Sequence, residues 1–104
     1  MELEEISKKL INKVFGKKEI DFRESRFWRT NFSIFPKGED RYNFINIECL
    51  KPDKFEGVEH FQFRSRFFHP DKVTSLLEQT SQPLNLNDSI KYLKQLKPLL
   101  LNRS

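Results

Sequence analysis

The sequence predicts an α+β fold: one antiparallel sheet of about three strands with helices on one of its faces, in the order α-β-β-β-α-α. Three observations predict it. Leu3, Ile6, Leu10 and Val14 recur at helical spacing near the start, and further on the chain alternates apolar and polar residues at period two in three runs. The third is compositional. Only 37% of the 104 residues are hydrophobic, but 11 are Phe, and each buried ring removes on the order of 150–250 Å² from water. A few large side chains can therefore fill a core, and residues 1–104 read as a single domain.

The first helix is placed over 2–15. Ile11 and Phe15 widen its apolar stripe, Glu2, Glu4 and Glu5 open it, and Lys13 stands in its last turn, the charge order the helix dipole favours. Glu4 with Lys8 and Glu5 with Lys9 add i,i+4 pairs, and Gly16 is placed to stop the helix. Period two takes over in 20–35, where Trp28, Thr30, Phe32 and Ile34 share one face and Arg29, Asn31 and Ser33 the other. Pro36-Lys37-Gly38-Glu39-Asp40 marks a turn. The second strand, 42–50, sets Asn43, Ile45, Ile47 and Cys49 against Tyr42, Phe44, Asn46, Glu48 and Leu50. A hairpin pairing Phe35 with Tyr42 then places Phe32 opposite Ile45, Trp28 opposite Cys49 and Arg29 opposite Glu48. A slip of one residue would turn Phe32 towards polar partners.

Residues 51–57 read as a loop and 58–68 as the third strand. Phe61, Phe63, Ser65 and Phe67 lie on one of its faces, and His60, Gln62, Arg64, Arg66 and Phe68 on the other. Trp28, Phe32, Ile45, Ile47, Phe61 and Phe63 are thereby expected to form one core. Pro70 suits the first position of a helix that Val73, Leu76 and Leu77 carry to about Gln79. A linker over 80–86 leads to the last helix. That helix starts near Asn87 as its cap, runs through Ile90, Leu93 and Leu96, and is ended or kinked by Pro98.

Several chemistries are excluded. A single cysteine, Cys49, allows neither an internal disulfide nor a multi-cysteine metal site, and it fits a reducing, cytoplasmic setting. The acidic start is unlike a signal peptide, and no stretch approaches the ~18 apolar residues of a membrane span. Gly16, Gly38 and Gly57 are isolated, so no glycine-rich phosphate loop exists. His60 and His69 lack further ligands at metal spacing, and neither metal nor other cofactor is expected. Phe68-His69-Pro70-Asp71-Lys72 contains a His-Pro-Asp tripeptide that resembles the loop of J-domain cochaperones. There the tripeptide follows a long basic helix, whereas here Phe61–Arg66 alternates as a strand, so Pro70 and Asp71 are read as a helix start.

The candidate site is the polar face of the sheet: Arg29, Asn31, Asn46, Glu48, His60, Gln62, Arg64 and Arg66, with Phe68 at its end. One face of an antiparallel sheet is ordinarily solvated, and that is the plainest reading. The arginines interleaved with rings also suit single-stranded nucleic acid, where rings stack on bases and cations meet phosphates, although the order and glycine pattern of an RNA-recognition sheet are absent. A Glu, a His and several Arg are similar in residue type to the sets of small ribonucleases, with Glu48 and His60 as base and acid. His60 and Arg64, however, stand roughly 13 Å apart along a straight strand, and Glu48 is expected to pair with Arg29. The leading expectation is a non-enzymatic module that binds a protein partner, with nucleic acid second and a small nuclease third. The net charge of +4 is compatible with each. Two free sheet edges also suggest a homodimer, and Lys91, Lys94 and Lys97 form a basic stripe on the last helix.

Overall fold

The computed structural model describes residues 3–24, 31–38, 43–50, 60–69, 71 and 74–101. The elements run α1 (Leu3–Asn12), β1 (Ile20–Glu24), β2 (Asn31–Pro36), β3 (Phe44–Leu50), β4 (His60–Phe68), β5 (Ser75–Thr80) and α2 (Leu86–Leu101). The strands form one antiparallel sheet in the order β1-β2-β3-β4-β5, so every strand pairs with its sequence neighbour. The expected three-stranded sheet and α-β-β-β-α-α order are thus corrected to five strands between two helices.

Both added strands have a local cause. Ile20 and Phe22 alternate with Asp21 and Arg23, and β1 folds back on β2 with Phe22 opposite Ile34. At the far edge, the expected helix at 70–79 is β5. Asp71 caps a turn instead of a helix: its Oδ1 accepts the Thr74 N–H at 2.9 Å and its Oδ2 accepts the Thr74 hydroxyl at 2.7 Å. The His69 N–H donates to the Thr74 carbonyl across the same turn. A short segment with few apolar residues satisfies more backbone groups as an edge strand on β4 than as an isolated helix of barely two turns. The ladder shifts register between Phe67 and Phe68, where buried Asn43 accepts the Phe68 N–H through Oδ1 at 2.7 Å.

Strand parity follows the sequence reading. Phe32, Ile34, Ile45, Ile47, Phe61, Phe63 and Phe67 are each at most 1% exposed and point into one core, with Cys49 beside them. Trp28, expected there too, lies outside the described residues. The β2–β3 register is two residues away from the expected one, pairing Phe32 with Ile47 and Ile34 with Ile45. A two-residue shift keeps every side chain on its face, so the hydrophobic pattern cannot distinguish the two alignments.

Both helices cover the same face. Leu10 and Ile11 come from α1, Val14 and Phe15 from the turn that follows it, and Leu93, Leu96 and Leu100 from α2. The Phe63 ring stacks on Tyr92 of α2 at 5.4 Å, and the Ser7 hydroxyl of α1 lies 2.9 Å from Cys49 Sγ. The cap of α2 is Asn85, two residues before the expected Asn87. Its Oδ1 accepts the Asp88 N–H at 2.9 Å. Pro98 stands in the last turn and removes the N–H that would bond the Lys94 carbonyl, yet the helix does not end there: it continues to Leu101, with Leu100 fully buried.

Lys97 is a structural residue and not part of a free basic stripe. Its Nζ donates to the Val14 carbonyl at 2.9 Å, just past α1, and lies 3.4 Å from Glu19. Glu19 Oε1 also accepts the Gly16 N–H at 2.6 Å. That N–H, chiefly, holds the Glu19 carboxyl below its ordinary range; desolvation opposes the shift, and Lys97 adds to it.

Candidate functional site on the open sheet face

No described helix packs on the other face of the sheet. Its residues follow from parity, and the cross-strand register arranges them in rows. One row is Asn31, Glu48 and Gln62, and the next is Arg23, Ser33, Asn46, Arg64 and Thr80. In a third, Arg66 stands between Phe44 and Glu78, and Asp21 lies opposite Phe35. The Phe35 and Phe44 rings meet at 6.2 Å, which joins the two halves of this row. Successive rows are two residues apart along the strands, roughly 6.8 Å.

Two adjoining depressions of about 340 and 390 Å³ cross these rows, and Asn31, Asn46 and Arg64 line both. Glu48 and Gln62 border one, Phe44 and Arg66 the other. Part of the polar set is already engaged. Asn46 Nδ2 donates to Ser33 Oγ at 3.1 Å and Gln62 Nε2 to the Ser81 carbonyl at 3.0 Å. Arg66 donates to Glu78 at 3.1 Å and lies over the Phe68 ring at 5.6 Å. Lys37 pairs with Asp21 at 3.2 Å.

Three groups near the middle of the face are left over, beside Arg23 on the edge strand β1, which likewise forms no ion pair among the described residues. Asn31 Oδ1 is buried and accepts no hydrogen bond. Among the described residues, neither Glu48 nor Arg64 forms an ion pair. Among the described residues the face therefore carries an unsatisfied acceptor, an anion without an ion pair opposite it in the same row, and a cation without one in the next row.

The sequence-predicted residues Glu48, His60, Gln62, Arg64, Arg66 and Phe68 all lie on this face, on β3 and β4. Arg29 lies outside the described residues. The expected cross-strand pairing of Arg29 with Glu48 is corrected: in the observed register Glu48 stands opposite Asn31. His60 sits at the end of β4 opposite Leu50, and the ladder from His60 to Arg66 has no bulge. With the ladder unbroken, strand rise sets His60 and Arg64 roughly 13 Å apart, too far for a single phosphate. Phe35, Phe44 and Phe68 are half-buried on the same face, in line with their parity.

Sequence reasoning missed Glu78, read as helix, and Thr80, read as linker, and also Asp21 and Arg23, whose strand was not separated from β2. The available signal was the Asp71–Thr74 turn pattern followed by six residues with no room for a stable helix. Among the described residues, no group of three or more His, Cys, Asp or Glu is placed to hold a metal ion, and no helix is long and apolar enough to cross a membrane. No protein-family model matches the chain, and no curated protein or solved structure matches it.

Proposed function

We propose that the protein is a non-enzymatic binding module that engages a protein partner through the open face of its sheet. The observation that supports this most is the balance of charge there. Among the described residues, Arg23, Arg64 and Arg66 are matched by Asp21, Glu48 and Glu78. A nucleic-acid surface draws its affinity from cations that release counterions from the phosphates, and the described residues of these rows carry no excess of cations over anions. Half-buried rings beside mixed polar groups suit the centre and rim of a protein interface instead. Nuclease chemistry is less well supported, because general acid–base work needs its groups within reach of one substrate, and His60 and Arg64 lie roughly 13 Å apart on a regular strand.

The test compares what the wild type, Arg64→Glu and Lys94→Glu retain from native-cell extract, with and without nuclease. Lys94 is an exposed α2 residue away from the face. The expected result is one protein retained by the wild type and Lys94→Glu, unaffected by nuclease and lost with Arg64→Glu. Retention of nucleic acid that falls with salt and with Arg64→Glu would overturn the proposal in favour of the nucleic-acid reading.

A further inference from the structure

The three leftover groups have an order, and that order describes the occupant. Asn31 Oδ1 and the Glu48 carboxylate are both acceptors and stand opposite each other on β2 and β3. Their satisfaction calls for a multi-donor cation, and a guanidinium or ammonium supplies one. One row on, Arg64 has no acidic partner among the described residues and offers a guanidinium fork to a carboxylate. Beyond it, Phe35 and Phe44 form an apolar patch one further row along. Arg66 does not compete for the occupant's acid, because Glu78 already holds it.

The row spacing fixes the form of the occupant. Side chains on one side of an extended chain recur every two residues, roughly 6.8 Å, which is also the spacing of the rows. We infer that the open face takes an extended segment of a partner protein that presents a basic residue, an acidic residue and an apolar residue at alternate positions, lying along β3 and β4. The basic residue meets Glu48 and Asn31, the acidic residue meets Arg64, and the apolar residue meets Phe35 and Phe44. This rests on the reading of the face as a protein-binding surface and adds the chemistry of what it binds. A segment with the two charges exchanged would bring like charges together at two rows, so the face also selects against the reversed order.

The experiment selects binders from a random peptide library displayed on phage, using the intact protein. Enriched peptides are then titrated by fluorescence anisotropy against the wild type, Glu48→Lys, Arg64→Glu and the double variant, with circular dichroism to confirm folding. If a charge reversal disturbs folding, Glu48→Gln and Arg64→Gln take its place. The expected outcome is enrichment of basic-x-acidic-x-apolar peptides in one chain direction. Each single variant should weaken them about tenfold or more, and the double variant should prefer peptides with the charges exchanged. Peptides that depend on Glu48 or Arg64 but lack this order would overturn the inference while leaving the protein-binding reading intact. Peptides indifferent to Glu48, Arg64 and Phe44→Ala would overturn both. Concentration-dependent self-association abolished by the same variants would identify a second copy of the chain as the occupant and overturn the inference.

Discussion

Phe63 and Phe44 lie on neighbouring strands and opposite faces of one sheet, and their truncation to Ala separates the two faces energetically. Phe63 is fully buried, pairs with Ile47 across the ladder and stacks on Tyr92 of α2. Its truncation removes the transfer energy of the ring, leaves a cavity beneath α2 and loses the stacking contact. Together these amount to roughly 3–5 kcal/mol. Phe44 is half-buried on the open face, and its ring contact is the tilted pair with Phe35 at 6.2 Å. Its truncation should cost about 1 kcal/mol, the scale of one aromatic pair beyond area burial. Small proteins retain about 5–15 kcal/mol in total, so Phe63→Ala should still fold but show a much lower urea midpoint by circular dichroism. Phe63→Ala in a Tyr92→Ala background should lose less than in the wild type, because the stacking contact is already gone. A loss below 1 kcal/mol for Phe63→Ala, or equal losses for Phe63→Ala and Phe44→Ala, would refute the assignment of the faces.

Two further predictions concern the frame around the site. Glu19 binds its proton less readily folded than unfolded, so its contribution is complete above its ordinary value of 4.5 and is lost as pH falls through the lowered folded value. Glu19→Gln should therefore flatten the acid limb of a stability–pH curve, and an unchanged limb would contradict the Gly16 and Lys97 contacts. Gly38 has φ +118° with open space where a Cβ would stand. Gly38→Ala should cost about 1–3 kcal/mol from backbone strain alone, and a neutral result by thermal melting would contradict the turn geometry.

The faces of the sheet were legible because period two is a local property. Phe32, Ile45, Phe61 and Phe63 sort to one side whatever their partners, and Glu48, Gln62, Arg64 and Arg66 sort to the other. The alignment of β2 on β3 was not legible, since Phe32 meets an isoleucine at either Ile45 or Ile47. The edge strand β5 was hidden for a different reason. Of Ser75–Thr80 only Leu77 is even partly buried, so the segment has almost no hydrophobic signature, and what makes it a strand is the free ladder of β4 beside it. That tertiary cause also decides the site. Glu78 occupies Arg66 and leaves Arg64, the other arginine of β4, without an ion pair among the described residues, and neither fact can be read before β5 is known.

The claim that the open face is where this protein binds can be tested most directly by photo-crosslinking in the native cell. A benzoylphenylalanine is placed at Asn46, in the middle of the face, or at Lys94 on the exposed side of α2. A discrete protein adduct is expected from position 46 that disappears when Glu48→Lys and Arg64→Glu are added, and no such adduct from position 94. Equal adducts from both positions, or none from position 46 alongside one from position 94, would contradict the claim.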